Sequence, residues 1–234
     1  MGVEEEMRQQ VGYGQAILQG MNYDPGSIDL VEEGRLSAGD SAWEDIPVGM
    51  HDRPALFVAP DEKRTILKMA IDHLFQAAET PQDVAVLPAA APFGEVLIDT
   101  VACTLCMGCV SVCPSAALAA GNDLPQLKFV EWNCVQCGLC ESACPEDAIQ
   151  RNPRLVFDSK SRQQARVLHE EPPFCCTVCG VAFATQSMMD RMTEKLSQHW
   201  MFQTAEARGR LHMCEDCRVK DMMKSGVSQT RPHR

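Results

Sequence analysis

Eight cysteines in the middle of the chain have a spacing that suits iron–sulfur chemistry. The run C-T-L-C-M-G-C-V-S-V-C-P begins at Cys103, and the run C-V-Q-C-G-L-C-E-S-A-C-P follows 31 residues later. Both fit C-x2-C-x2-C-x3-C-P, in which three cysteines hold one cluster and the fourth binds the other cluster. Thiolates two residues apart point into one compact site. The spacing therefore predicts two bound clusters that exchange single electrons.

Crossing the fourth ligands makes the two predicted sites interlocked. Cluster I is expected on Cys103, Cys106, Cys109 and Cys144, and cluster II on Cys134, Cys137, Cys140 and Cys113. The alternatives for these eight cysteines are disulfides or zinc knuckles. Zinc sites usually take two pairs of ligands separated by a longer gap, which differs from two ordered quartets that end in proline.

Glycines and prolines within the two runs indicate tightly wrapped loops. Gly108 and Gly138 lie beside ligand cysteines, where the backbone comes close to the cluster or takes a left-handed turn. Pro114 and Pro145 follow the fourth cysteine of each run. We expect these prolines to lead into the short helices S-A-A-L-A-A and E-D-A-I-Q.

On these residues the chain resembles the two-cluster bacterial ferredoxin family, over residues 94 to 158. The resemblance implies two [4Fe-4S] centres in a small sandwich that is related by a pseudo-two-fold axis. It also implies reduction potentials at the low end of the range of roughly −700 to +450 mV that iron–sulfur centres cover.

Four further cysteines have the spacing of a closed tetrahedral metal site. They form C-x2-C…C-x2-C and are Cys176, Cys179, Cys214 and Cys217. Phe183, after the C-G knuckle, resembles the aromatic residue that packs under the metal in zinc-ribbon and treble-clef fingers. We expect one structural zinc ion here; a single iron in a rubredoxin-like setting and a third iron–sulfur cluster are the alternatives. Cys175 is left as a spare thiol.

Hydrophobic patterns predict the elements that position these cysteines. Alternating residues predict strands at 95–101 and 126–132, each before a cysteine quartet, and further strands at 84–87 and 154–158. Apolar residues at helical spacing predict helices over 4–20 and over 61–79, the second capped by Asp61. In the finger, Thr185 is the expected cap of a helix with Met189, Met192, Leu196 and Trp200 on one face.

These elements predict an α+β chain organised around a small ferredoxin-like module. A helical and irregular N-terminal arm is expected over 1–93, with residues 22–54 as a linker, and the module itself over 94–158. A polar linker is expected over 159–173, then the metal finger over 174–225 and a flexible tail over 226–234.

Composition and charge favour a reducing compartment and a basic partner surface. The N-terminus is acidic and lacks a hydrophobic signal region, and no run of about 18 apolar residues occurs, so we expect a cytoplasmic protein without a membrane span. The formal charge is −11, and residues 96–150 carry six acidic residues and one lysine. This acidity disfavours nucleic acid and suits docking to a basic redox partner; the alternative is that it serves only solubility.

A wider resemblance concerns the whole order of motifs. From D-E-K-R through A-P-F-G, both quartets, P-F-C-C-T-V-C-G and C-E-D-C-R, about residues 55–225, the chain is similar to the C-terminal part of longer proteobacterial 4Fe-4S binding proteins associated with formate dehydrogenases. The resemblance implies an electron carrier or electron-transfer subunit, without catalytic residues of its own, that serves a dehydrogenase or reductase. The alternative is a redox- or oxygen-responsive assembly or regulatory factor that binds a partner through its finger.

Overall fold

The computed structural model describes residues 3–28, 56, 58 and 61–224 of the chain. Most of the predicted linker at 22–54 and the tail at 226–234 lie outside the described residues. The helices are α1 (Val3–Gly20), α2 (Lys63–Ala77), α3 (Gly108–Ser111), α4 (Leu139–Ser142), α5 (Ser159–Gln163), α6 (Gln186–Leu196), α7 (Ala205–Gly209) and α8 (Glu215–Lys224). The strands are β1 (Val84–Val86), β2 (Gly94–Ile98), β3 (Leu118–Ala120), β4 (Gln126–Phe129), β5 (Ile149–Val156), β6 (Arg166–Glu170), β7 (Pro173–Cys175) and β8 (Ala182–Thr185).

A duplication of strand, helix and strand forms the centre of the fold. The elements β2, α3 and β3 are repeated 31 residues later as β4, α4 and the start of β5. The repeats exchange strands, because β2 pairs antiparallel with β5 while β3 pairs antiparallel with β4. Ile98 lies opposite Ile149, and the equivalent residues Phe129 and Leu118 lie opposite each other. The register therefore obeys the pseudo-two-fold relation.

Buried aliphatic residues fill the space between the two exchanged pairs. The buried members of this core are Val96, Leu105, Ala117, Leu118, Leu127, Phe129, Cys134 and Ile149, and five further cysteines of the two runs pack against them. The short strands thus position the cysteine loops, and the apolar residues of strands and loops together form the core. Strand β4 ends at Phe129, because a 3-10 turn over Glu131–Asn133 replaces the last predicted strand residues.

The N-terminal helices pack against the outer side of this module. Helix α2 contributes Ile71, and the end of α1 leads to Met21; both lie in a second core with Phe93, Leu155 and Phe157. Strand β1 joins β5 and completes a sheet of order β1-β5-β2. The predicted cap of α2 was wrong by one residue: the helix is preceded by Glu62, whose side chain makes no capping hydrogen bond.

The segment expected to be a polar linker contains regular structure. Asp158 caps α5, and β6 adds to β4 in a second sheet of order β3-β4-β6. The sequence R-V-L-H-E does not indicate a strand, because the one buried residue of β6 is the polar His169. The short helices expected after Pro114 and Pro145 were also wrong, since the chain makes a turn there and enters β3 or β5.

The C-terminal segment forms a β-hairpin followed by three helices. Strands β7 and β8 pair antiparallel around the first cysteine pair, and the second pair lies at the start of α8. The Thr185 side chain accepts a hydrogen bond from the Met188 N–H, which confirms the predicted cap of α6. Helix α6 ends at Leu196, so Trp200 lies in a 3-10 turn and is 60% exposed, contrary to the prediction. Among the described residues, no helix combines the length and apolar character needed to cross a bilayer.

Candidate metal centres

Two cavities lie between the cysteine loops, and each has thiols from both runs. The first, of about 370 Å³ and partly open to solvent, is lined by Cys103, Cys106, Cys109 and Cys144. The second, of about 350 Å³, is lined by Cys134, Cys137, Cys140 and Cys113. We call these spaces site I and site II. Each has room for a group larger than a single ion, and four thiolates are the usual ligand set of a [4Fe-4S] cluster, so both sites fit such a cluster.

The loops reach this geometry through left-handed backbone at matching positions. In the two loops, residues with positive φ occur as three pairs that are each 31 residues apart: Leu105 with Gln136, Met107 with Gly138, and Ala116 with Asp147. Their φ values are 53° and 53°, 61° and 81°, and 51° and 50°. Only one of the six is glycine. The left-handed turns are therefore imposed by the loops as a whole and leave little trace in the sequence.

Backbone N–H groups turn toward the thiols in both sites. The N–H of Leu105 acts on Cys103, and the N–H of Gln136, at the equivalent position, acts on Cys134. The N–H of Ala148 donates to the Cys144 sulfur at 3.3 Å. In site II the Gln136 amide adds a side-chain hydrogen bond of 3.4 Å to the Cys134 sulfur. Such donors stabilise negative charge on sulfur and hence on a bound cluster.

Burial raises the pKa of four of these thiols, which belong to Cys103, Cys109, Cys134 and Cys140. Burial, assisted by Cys103 and Cys106, raises the pKa of Cys109 to about 12, and burial is also the largest cause of the raised pKa of Cys140. For Cys113, burial acts upward, but N–H groups of residues 115, 117 and 118 and the Ser115 hydroxyl outweigh it and lower its pKa. Because metal ligands bind as thiolates, these sites need a cationic centre to hold the charge.

A network of four charged groups, of which the two carboxylates are buried, supports the loops. Arg154 donates to both carboxylate oxygens of Glu131 at 2.9 Å and contacts Glu95 at 2.5 Å. Arg166 of β6 contacts the same two carboxylates, at 3.1 Å and 2.7 Å. The Glu95 and Glu131 side chains are only 9% and 7% exposed. The network therefore joins β2, β5 and β6 to the turn that leads into the second cysteine run.

The C-terminal segment packs against the loop of site I. The Thr185 hydroxyl donates to the buried carbonyl of Thr104 at 3.0 Å. Glu146, which lines site I, is contacted by Arg191 and Lys195 of α6 at 3.1 Å and 3.0 Å. Sequence reasoning missed these contacts, because nothing in the local patterns relates Thr104 to Thr185.

The four cysteines of the C-terminal segment converge on one point. Their sulfurs all lie within 4.8 Å of one another, and those of Cys179 and Cys214 are 3.6 Å apart. In a regular tetrahedron with metal–sulfur bonds of about 2.3 Å, the sulfurs are about 3.8 Å apart. The spacing fits one tetrahedral ion. Among the Cys, His, Asp and Glu residues that the structure describes, no other group of three or more brings its ligand atoms this close.

The finger site favours one thiolate before any metal binds. Burial acts to raise the pKa of Cys176, but the N–H groups of Cys214, Cys179 and Val178 outweigh it and lower the pKa to about 6. Its partner Cys217 has a pKa raised to about 12, chiefly by its contact with Cys179. Cys175 is exposed and lies outside the group of four sulfurs.

Phe183 lies in strand β8 of the hairpin that carries the first cysteine pair. Its ring meets Phe174 of the opposite strand edge-on, with centroids 5.8 Å apart, and Phe174 in turn contacts the His212 ring at 5.6 Å. The aromatic residues therefore brace the hairpin against the turn that carries the second cysteine pair.

Comparisons with known proteins agree on the central part of the chain. A family model described as a 4Fe-4S dicluster domain matches residues 95–145, which include all eight cysteines of sites I and II. Ferredoxin-1 of Caulobacter vibrioides is 38% identical over 65 residues, which are 27% of this chain and 56% of that ferredoxin. NADH-quinone oxidoreductase subunit I 2 of Geobacter metallireducens is 30% identical over an alignment of 111 residues, which covers 42% of this chain and 85% of that subunit.

Proposed function

We propose that this chain, which belongs to the 4Fe-4S dicluster ferredoxin proteins, is an electron-transfer protein that relays single electrons through two [4Fe-4S] clusters. The observation that carries the proposal is the division of the eight cysteines between two cavities, with three from one run and the fourth from the other run in each. A cluster with four thiolate ligands exchanges electrons and leaves no coordination position for a substrate. We therefore assign the chain as a carrier or electron-transfer subunit and not as an enzyme.

The first experiment measures the composition of anaerobically prepared protein. We expect about eight irons and eight sulfides per chain, because each cubane brings about four of each, and electron paramagnetic resonance signals after reduction with dithionite. Colourless protein without such signals would exclude the proposal.

A second experiment tests the crossed ligands. Replacing Cys113 by Ala removes a residue of the first run, yet it should disturb the cluster of site II. Cys144→Ala is the matched variant and should disturb site I. If each variant affected the cluster of its own run, the crossed assignment would be wrong.

We also propose that the finger holds one structural zinc ion. The support is the sulfur spacing, since all four sulfurs lie within 4.8 Å of one another and a four-iron cluster would hold them farther apart. Zinc has no redox chemistry, so its role here would be to fix a short segment with a small core of its own. Metal analysis of the same preparation should find one zinc per chain; one extra iron would favour the rubredoxin-like alternative.

The redox partner is proposed to be a cytoplasmic oxidoreductase of the formate dehydrogenase type. The order of motifs supports this identity, and the formal charge of −11 suits a basic docking surface. Reduced protein should pass electrons to such a dehydrogenase, or accept them from it with formate, at a rate that falls as salt is added. Absence of exchange at low salt would exclude this partner.

One contact favours a second function, in which cluster state is signalled to a partner through the finger. The hydrogen bond from Thr185 to Thr104 links α6 to the loop of site I. A regulatory protein of this kind should alter hydrogen exchange in α6 when its clusters are oxidised. Equal exchange in both redox states would favour the simple carrier.

A further inference from the structure

The two sites have nearly the same internal geometry but different charges outside them. Cys103 and Cys134 are the first ligands of the two runs, and each receives the N–H of the residue two positions later. The loops differ in one donor, because the Gln136 side chain binds the Cys134 sulfur and the equivalent residue, Leu105, has no side-chain donor. The remaining differences come from the surrounding elements. Net charge near a cluster is one of the factors that set its reduction potential.

Arg64 of α2 brings a positive charge to site II. Its guanidinium donates to the carbonyl oxygens of Trp132 at 2.8 Å, Cys134 at 2.9 Å and Pro92 at 3.3 Å. It also lies over the rings of Phe93 and Trp132, at 4.7 Å and 4.9 Å from their centroids. Burial lowers its pKa, whereas Cys134 and the exposed Glu62 act in the opposite direction. An arginine keeps its proton in a protein, so the positive charge beside Cys134 is permanent.

Glu171 places a negative charge at the turn that packs against the loop of site I. Its carboxylate, 17% exposed, accepts hydrogen bonds from the Ser187 hydroxyl at 2.8 Å and the Ser187 N–H at 3.3 Å, and it lies 3.6 Å from His169. Ser187 is in the same turn as Thr185, which binds the Thr104 carbonyl next to Cys103. Burial is the main cause of the raised pKa of Cys103, and the Glu171 charge adds to it.

Three sets of charged groups near the clusters contain equal numbers of acidic and basic residues. Glu141 pairs with Arg151 beside site II. At site I, Glu146 pairs with Arg191 and Lys195, and Arg191 also meets Glu194. The network of four charged groups has two carboxylates and two guanidinium groups.

Two exposed acids add to the imbalance at site I. Asp99 binds the N–H groups of residues 101 and 102, just before Cys103, and the N–H of Asp147 binds the Cys144 carbonyl. The residues at the corresponding positions of the other repeat are Val130 and Ala116, which are neutral.

We propose that Arg64 and Glu171 make the two clusters unequal, so that cluster II has the higher reduction potential and holds the first electron. This inference rests on the proposed function, since it requires both clusters to be present. Adding an electron makes a cluster more negative. The cationic Arg64 therefore favours reduction of cluster II, and the anionic Glu171 opposes reduction of cluster I.

A reductive titration followed by electron paramagnetic resonance tests this with charge-neutralising variants. Arg64→Gln should lower the higher of the two potentials, and Glu171→Gln should raise the lower one, so both narrow the gap. We expect each to change the ratio of the two singly reduced forms about tenfold, which for one electron corresponds to about 59 mV.

Matched controls separate charge from structure. Lys63→Gln removes an exposed charge next to Arg64, and Glu170→Gln removes an exposed charge next to Glu171; both should leave the two potentials close to those of the unmodified protein. Arg64→Lys keeps the positive charge while losing the planar hydrogen bonds. The reduction potential of cluster II in Arg64→Lys should therefore stay close to that of the unmodified protein. If Arg64 acted only through its hydrogen bonds, this potential would fall in Arg64→Lys as it does in Arg64→Gln.

The possible outcomes separate a failure of this inference from a failure of the proposed function. Unmodified protein without two reducible clusters would overturn the proposed function itself. Two reducible clusters with equal potentials, or variants that leave both potentials unchanged, would overturn only the assignment to Arg64 and Glu171. If Arg64→Gln failed to fold, Glu171→Gln and Arg64→Lys would still decide the question.

Discussion

Met107 and Gly138 occupy equivalent positions in the two cysteine loops, and both have left-handed backbone, with φ of 61° and 81°. Each lies immediately before a short helix, α3 or α4. Gly108, which the sequence analysis grouped with Gly138, lies inside α3 instead and is not left-handed. The left-handed turn therefore falls on a glycine in one loop and on a methionine in the other.

Gly138→Ala should destabilise the protein, whereas Gly108→Ala should not. An alanine at 138 must keep the left-handed backbone conformation, which costs a residue with a Cβ about 1–2 kcal/mol. Its Cβ would also lie 3.2 Å from the Arg151 guanidinium carbon. A Cβ at 108 has its nearest neighbour, the Cys106 sulfur, at 3.7 Å. Thermal unfolding under anaerobic conditions and iron retention measure the difference. Equal losses in the two variants would show that φ is not the cause.

How far the sequence predicts this molecule depends on whether a feature is local. The cysteine spacing and the strands before each quartet are local patterns, and the structure has those strands near the expected places. The left-handed residues Leu105 and Gln136 have no such signal, because neither residue type favours positive φ. The contact between Arg64 and Cys134 joins residues 70 positions apart, so only the folded chain reveals it.

Glu131→Gln should be among the most destabilising single changes outside the cysteines. The buried carboxylate is bound by Arg154 and Arg166, and removing its charge leaves two guanidinium groups with one acid, Glu95. Because Arg166 is 39% exposed, the loss is smaller than for a fully buried pair, and we expect about 1.5–3 kcal/mol, the usual contribution of hydrogen bonds to a charged group. The measurement is the midpoint of anaerobic thermal unfolding. Glu4→Gln is the control: its pair with Arg8 is 2.5 Å long but solvent-exposed, so a loss of at most about 0.5 kcal/mol is expected.

Cys179→Ser should remove the metal of the finger, and Cys175→Ser should retain it. Cys179 is one of four converging sulfurs, whereas the neighbouring thiol of Cys175 points to the Pro173 carbonyl at 4.0 Å. Zinc per chain should fall from about one to near zero only in the first variant, because a closed tetrahedral site needs all four ligands. Iron and sulfide are measured in the same samples and should be unchanged in Cys175→Ser. Metal loss in Cys175→Ser would mean that the ligand set is misassigned.

Thr185→Val should weaken the attachment of the finger to site I. The variant loses the cap bond of 3.2 Å from the Met188 N–H and the bond of 3.0 Å to the buried Thr104 carbonyl. Loss of a cap costs about 1 kcal/mol, and leaving a buried carbonyl without its donor costs about 1–3 kcal/mol more. Thr204→Val is the matched control, since Thr204 caps α7 through the Ala207 N–H at 3.1 Å in an exposed position.

The two threonine variants also show whether the Thr185–Thr104 bond or the stability of the finger as a whole protects cluster I from air. Exposure to air should bleach the cluster of site I faster in Thr185→Val than in unmodified protein, because the loop after Cys103 loses the contact that holds it. Thr204→Val should bleach at the unmodified rate, although its finger is also weakened. Faster bleaching in both variants would mean that general loosening of the finger, and not the Thr185–Thr104 bond, protects the cluster.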